Sequence, residues 1–139
     1  MSRSTPIEYR LGNDIDLDAF IDVYRRSTLG ERRPVDDRAR MKQMLESANL
    51  TVSAWDGSTL VGIARSLSDY CYATYLSDLA VDISVQRRGI GRELVRRTRD
   101  AGGRAAVFLF AAPSAIDYYE KIGFRAGSGW VLMPDDPIT

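Results

Sequence analysis

Between Tyr72 and Gly103 a β-rich apolar run passes through Gln86-Arg87-Arg88-Gly89-Ile90-Gly91 into an amphipathic stretch that stops at Gly102-Gly103. No other feature constrains the fold as much. The hydrophobic period changes from strand-like to helical across one glycine loop, which demands a strand, a turn and a helix in that order. The pattern predicts a strand over 72–83 and a helix from Ile90, with Ile90, Leu94, Val95 and Thr98 inward and Arg92, Arg96, Arg97 and Arg99 elsewhere. N–H groups in a helix's first turn have no internal partner and lie at the positive end of the dipole, so they suit a phosphate. Gly89 and Gly91 let an anion approach the main chain, and Arg87, Arg88 and Arg92 add charge-assisted hydrogen bonds. The competing reading is a glycine turn beside a solvated arginine face. A P-loop is excluded because Arg92-Glu93 follow Gly91, and the dinucleotide fingerprint fails because Leu94 stands where its third glycine belongs.

The rest of the chain supplies an α/β (α+β) frame around this unit. "PIEYRLG" predicts a strand, and the following helix carries Leu17, Phe20, Ile21 and Tyr24 on one face, with Asn13 and Asp14 as cap candidates. A second helix is expected from Asp36 to Ala48. Asp56-Gly57 separates two β-rich runs and predicts a hairpin. "AAVFLF" reads as a strand covered on both faces. "PSAIDYYEKIGF" reads as a short helix with Pro113 near its first turn and Gly123 past its end, and "GWVLMP" as a closing strand or a contact surface. The expected order is β-α-α-β-β-β-α-β-α-β, in a central, mixed but mostly antiparallel sheet flanked by helices.

Composition narrows the chemistry. At 139 residues, 45% hydrophobic and 27% charged, the chain reads as a single domain over 1–139. No apolar run approaches a membrane span, and "MSRSTPIEYR" lacks the apolar core of a secretion signal, so a cytoplasmic location without membrane partners is expected. Basic and acidic residues balance at 19 each, leaving no net field to draw the molecule onto nucleic acid. The local exception is Gln86 to Arg104, where seven arginines face Glu93 and Asp100; this stripe supports an alternative reading as a nucleic-acid-binding module. Histidine is absent and Cys71 is the one cysteine, which removes Ser-His and Cys-His nucleophiles and cysteine metal cages; no metal is expected. Cys71 itself reads as a small buried residue.

Two segments carry a family resemblance. "LSDLAVDISVQRRGIGRELVRRT", containing Gln86-Arg87-Arg88-Gly89-Ile90-Gly91, and "AIDYYEKIGF", containing Tyr118-Tyr119-Glu120-Lys121-Ile122-Gly123-Phe124, resemble the two signature segments of the GNAT-type N-acetyltransferases. "ARSLSDYCYATYLSDLAVD" is similar to a bacterial subgroup and to the plant plastid arylalkylamine (serotonin) acetyltransferases. The resemblance implies the GNAT fold and acetyl-coenzyme A as cosubstrate. It also implies direct transfer of the acetyl group to a primary amine of a small molecule, with a homodimer possible. It places main-chain groups of Leu79, Ala80 and Val81 on the pantetheine arm and amides from Arg87 to Arg92 on the pyrophosphate. Ser114 stands near the position of a pantetheine-binding asparagine. Tyr119 is implied as general acid toward the sulfur, since a phenol of ordinary pKa, about 10, is protonated at neutral pH; its alternative is a core tyrosine on a face with Ile116 and Ile122. Asp78, with Asp69 as competitor, is the candidate base or cation-binding group, and Tyr70, Tyr72 and Tyr75 offer aromatic surface to an arylalkylamine. A silent member that binds acyl-coenzyme A as a sensor is the further alternative. Asp82-Ile83 lacks the proline common after this family's central strand.

Overall fold

The computed structural model describes residues 6–139, so half of the stretch read for a secretion signal lies outside the described residues. The first strand, β1 (Glu8–Leu11), leads to helix α1 (Leu17–Arg26), a short 3-10 helix (Thr28–Arg32) and helix α2 (Arg38–Ser47). The hairpin predicted at Asp56-Gly57 joins β2 (Leu50–Asp56) to β3 (Thr59–Ser68), and β4 (Ala73–Val81) follows. A one-turn 3-10 helix (Ile83–Val85) and the glycine loop connect β4 to α3 (Ile90–Ala101), after which come β5 (Ala106–Phe108) and α4 (Ile116–Lys121). The five strands form one sheet in the order β1-β2-β3-β4-β5, antiparallel except for the parallel β4–β5 pair. This is the mixed, mostly antiparallel sheet expected. No helix among the described residues is long and apolar enough to cross a membrane.

The sheet separates two apolar layers. Phe20, Val23 and Tyr24 of α1 and Met41 and Leu45 of α2 pack on Trp55, Leu60, Ile63 and Ala80. On the other face, Ile90 and Leu94 of α3, with Val85, pack on Val52, Ala54, Val61, Ala64 and Leu76. Gly62 is what lets α3 lie so close, because a Cβ there would come within 3.1 Å of Leu94 Cδ1 and 3.2 Å of Ile90 Cγ2.

Several local expectations are corrected. Helix α1 is capped by Asp16, whose carboxylate accepts from the Ala19 N–H at 3.1 Å. Asn13 instead closes the other helix, donating its side-chain amide to the carbonyls of Leu45 (3.1 Å) and Ala48 (3.2 Å) at the end of α2. Cys71 is exposed in the β3–β4 turn, where no core exists to bury it. "AAVFLF" yields only a three-residue edge strand, with Phe108 53% exposed, so it is not covered on both faces. "GWVLMP" forms no strand, and Trp130 is 92% exposed. The apolar character of both runs is real, but an edge position and a missing strand partner leave it facing solvent.

The chain divides into two compact units, one ending at Leu109 and the other comprising Phe110–Thr139. The larger holds the whole sheet with α1 to α3, and the smaller holds α4 and the C-terminal segment. Leu94 is fully buried between α3 and the sheet. Leu94→Ala is expected to lower the unfolding free energy by about 2–5 kcal/mol, read from urea denaturation.

Candidate active site

The site is organised by one irregularity in β4. Arg65 pairs with Asp78 but Ser66 pairs with Leu76, which leaves Ser77 as an extra residue. Counting by twos from Leu76, which faces α3, Asp78 would share that face; the bulge turns it to the α1/α2 side instead, with Ala80. Asp78 is 1% exposed there. Its Oδ2 accepts from Tyr24 Oη and Arg65 Nε, both at 2.5 Å, and its Oδ1 accepts from Arg33 Nε at 2.6 Å. Arg65 also reaches Ser77 Oγ at 2.9 Å and Arg33 the Ser77 carbonyl at 2.8 Å. Burial pushes the Asp78 carboxyl up, yet Arg65, the Tyr24 hydroxyl and Arg33 together outweigh it and hold it below the ordinary carboxylate value. Burial first, then the Asp78 charge, drives the Tyr24 phenol well above its ordinary value. Both carboxylate oxygens of Asp78, the residue expected to take the proton of an amine or bind its cation, thus already accept hydrogen bonds within the fold.

Beyond the bulge β4 presents an open edge. It pairs with β5 only over Ala73, Thr74 and Tyr75, so from Leu76 to Val81 its outer edge has no strand partner among the described residues. The Asp82 N–H donates to the Val61 carbonyl at 2.8 Å, so alternation directs the peptide groups of Ala80 toward β3 and those of Leu79 and Val81 outward. Gln86 Nε2 takes the outward Val81 carbonyl at 3.0 Å. Of the three residues expected to hold an extended ligand, Leu79 and Val81 therefore offer main-chain groups, and Ala80 is committed to the sheet.

One 3-10 turn (Ile83–Val85) separates the open edge from the glycine loop. Arg87 (φ 68°) and Gly89 (φ 79°) both adopt left-handed backbone, an arrangement tolerated by glycine but costing about 1–2 kcal/mol at an arginine. Gly89 caps α3 with no side-chain hydrogen bond, a Cβ there would meet nothing within 4 Å, and the first-turn N–H groups of Ile90, Gly91 and Arg92 have no acceptor among the described residues. Arg87, Arg88 and Arg92 have no ion-pair partner among the described residues. In contrast, Arg96 and Arg97 bond Glu93, which they hold down to about pKa 2, and Arg96 and Arg99 pair with Asp100. Uncapped N–H groups and unneutralised guanidiniums fit a pyrophosphate, and the outward peptide groups of Leu79 and Val81 fit an amide-bearing arm.

Within the larger unit, several other expected residues lie apart from this corner. Asp69, Tyr70 and Tyr72 sit in the turn that starts β4, and the glycine loop follows its end, a span of about 26 Å at the usual strand rise. Asp69 Oδ1 accepts from the N–H groups of Tyr72 (2.8 Å), Cys71 (3.0 Å) and Ala73 (3.0 Å), which hold its pKa well below the ordinary carboxylate range. It shapes a turn. Tyr70 donates its hydroxyl to the Asn49 carbonyl, and Tyr72 is 76% exposed. Tyr75 stands where β4 and β5 part. In the C-terminal unit, Ser114 is exposed in a 3-10 turn (Pro113–Ala115), and Tyr119 is half-buried on α4 with its ring edge-on to Tyr118 and Phe124, centroids 5.4 Å apart in each case. The cluster partners Tyr24, Arg33 and Arg65 were not anticipated. A signal existed for one of them: Arg65 falls at an inward position of an apolar strand and needs a buried counter-charge.

Comparison with known proteins gives a consistent picture. Residues 27–129 match the model of an acetyltransferase (GNAT) domain. A ycf52-like N-acetyltransferase of Prochlorococcus marinus is 32% identical over 110 residues, covering 74% of this chain and 56% of that protein. The chloroplastic GCN5-related N-acetyltransferase 2 of Arabidopsis thaliana is 34% identical over 73 residues, 48% of this chain and 27% of that one. The chain therefore spans about half or less of the length of these curated relatives. Among solved structures, the GNAT family protein SP0256 of Streptococcus pneumoniae superposes with a TM-score of 0.77 at 22% identity, over 94% of this chain and 99% of that one. The aminoglycoside N-acetyltransferase AAC(6')-Iy, solved with CoA, gives 0.72 at 16% identity, over 97% and 98%. These two likenesses carry the fold.

Removing the buried anion tests the cluster. Asp78→Asn strips the charge from two guanidiniums and is expected to cost about 3–5 kcal/mol of stability at neutral pH, read by urea unfolding. Because the folded pKa of Asp78 lies below its unfolded value, its stabilisation is complete above about pH 4 and is lost as pH falls through the folded value. Stability of the wild type should fall below about pH 4, and less steeply in the Asn variant.

Proposed function

The chain belongs to the GNAT acetyltransferase family, and on that premise we propose that it transfers the acetyl group of acetyl-coenzyme A directly to a primary amine of a small molecule. The observation that carries this reading is the open edge of β4 from Leu76 to Val81, joined through one 3-10 turn and the glycine loop to the uncapped N-terminus of α3. Arg87 to Arg92 hold the pyrophosphate through main-chain amides and free guanidiniums. Leu79 and Val81 hold the pantetheine arm, and the Leu79 N–H polarises the acetyl carbonyl. Ser114 is kept as a further contact to that arm. The bound cosubstrate supplies an activated thioester; the chain supplies orientation, oxyanion stabilisation and, from Tyr119 Oη, a proton for the departing sulfur.

Asp78 and Asp69 are given no proton transfer, since both are committed to structure. The amine then reacts from its neutral form and loses its proton to water. Aromatic preference in the acceptor rests on Tyr75 alone. The engagement of both carboxylates also supports the second reading, acyl-coenzyme A binding without turnover. We further propose a cytoplasmic homodimer, with the exposed Trp130, Val131, Leu132 and Met133 as apolar contact surface.

Acetyl-coenzyme A is expected to raise the thermal midpoint, whereas ATP and a short RNA, at two salt concentrations, are not. The double variant Arg87→Ala/Arg88→Ala should weaken that shift. Tyr119→Phe should reduce turnover roughly 10²–10⁴-fold while leaving coenzyme A affinity intact. Unchanged turnover in Tyr119→Phe removes the general-acid assignment. Binding without turnover across a broad amine panel establishes the sensor.

A further inference from the structure

The segment after α1 is flanked by two arginines that reach β4 and the residue just past it. Arg33 reaches Asp78 Oδ1 and the Ser77 carbonyl, and its remaining nitrogen, Nη1, donates to the Arg32 carbonyl at 2.9 Å. Arg26, the last residue of α1, pairs with Asp82 and donates Nη2 to the Leu60 carbonyl at 2.6 Å. Its Nε holds Asp22 at 2.8 Å. Asp82 is itself fixed, accepting from the N–H (2.9 Å) and hydroxyl (2.8 Å) of Ser84. Asp78 and Asp82 bracket Leu79–Val81, the stretch that turns its peptide groups to the open edge. Two arginines flanking residues 27–32 in sequence therefore grip two aspartates flanking the candidate cradle.

Apolar burial is not what holds this segment. No residue of Thr28–Arg32 is fully buried, and Leu29 reaches the α1/α2 core only in part. Local bonds shape it: Ser27 Oγ donates to the Tyr24 carbonyl at 2.9 Å and accepts from the Leu29 N–H at 3.2 Å. Gly30 lies so near that a Cβ would fall 2.5 Å from the Tyr24 carbonyl oxygen. These bonds tie the segment to α1, whereas Arg33 ties its far end to β4 and Arg26 ties the end of α1 to Asp82 just past that strand. Guanidinium is suited to both links, because one planar group can serve a carboxylate and a carbonyl together.

We propose that Arg33, seconded by Arg26, is a positioning residue that fixes residues 27–32 against β4 as a standing wall on the acceptor side of Leu79–Val81. The acceptor amine then meets a preformed surface instead of a loop that must close over it. This rests on the acetyltransferase reading above. Arg33 is the better residue to change, because Asp78 keeps Arg65 and Tyr24 when it is lost.

The test compares wild type, Arg33→Gln and Arg33→Lys by three measurements: hydrogen exchange of the 27–33 amides, acetyl-coenzyme A affinity by calorimetry, and steady-state kinetics with the best acceptor from a panel of primary amines that includes tryptamine. In Arg33→Gln, exchange over 27–33 is expected to rise at least tenfold with β2 and β3 protection unchanged. Acceptor KM should rise about tenfold or more, with acetyl-coenzyme A affinity within about threefold of wild type. Arg33→Lys should recover only part of the effect, since an ammonium cannot serve Asp78 and the Ser77 carbonyl as a fork does. Unchanged exchange over 27–33, faster exchange with an unaltered acceptor KM, or equal weakening of acceptor and acetyl-coenzyme A each overturns the proposal. If Arg33→Gln does not fold, the same outcomes are read from Arg26→Gln and Arg33→Lys. A wild type that fails to bind acetyl-coenzyme A defeats the acetyltransferase reading, while exchange still decides whether the segment is clamped. A wild type that binds it and acetylates no amine of the panel removes the acceptor wall together with the enzyme.

Discussion

A carboxylate buried in the sheet of a protein this small needs its charge answered on every side, and Asp78 has that answer from Arg65, Arg33, Tyr24 and Ser77. The rest of the site depends on this cluster. It draws together α1, the segment after it, β3 and β4, elements otherwise joined by apolar contacts that fix distance better than register. Ser77, the one residue too many in β4, is what delivers Asp78 to the α1/α2 side and Leu79 and Val81 to the other. The cost of burying the ions is offset only while all partners are present, so the geometry beside the bulge is sharply defined.

The second organising constraint is the shortness of β5. A full-length parallel neighbour would consume the outward peptide groups of β4; a strand that pairs over three residues leaves them available. The open edge and the uncapped first turn of α3 are two unsatisfied sets of backbone donors placed end to end. One is directional and suited to an extended amide-bearing chain, and the other is suited to phosphate. Strain at Arg87 and the loop arginines, which have no ion-pair partner among the described residues, belong to the same arrangement, whereas the arginines farther along α3 are tied to Glu93 and Asp100, and Arg97 also stacks on Tyr9. The local positive charge is thereby concentrated at the loop and not spread as a stripe along the helix.

Much of the frame was legible in the sequence because it rests on short-range physics. The period change at Gln86–Gly91, the Asp56-Gly57 turn and the apolar faces of α1 and α3 each reflect neighbours within one or two turns of chain. Errors gathered where local pattern and environment part company. Phe108, Val131 and Leu132 are apolar, yet nothing in their neighbourhood says whether a partner will cover them. Asn13 has the chemistry of a helix cap but caps the end of α2 and not the start of α1, a distinction made by its distance from Leu45 and Ala48 in space.

The candidate site divides along the same line. By itself the sequence determined the glycine loop, its cations and the absence of histidine chemistry, because these depend on residue type and spacing alone. Only the tertiary structure decided the surroundings of Asp78, Asp69, Tyr70 and Tyr72. It closed Asp78 in a cage of guanidiniums, committed Asp69 to a turn, and set Tyr70 and Tyr72 a strand's length from the loop. The reason is that a carboxylate's reactivity is set by what surrounds it. Residues 13, 45 and 54 positions apart in the chain make that surrounding for Asp78, and no local pattern records them.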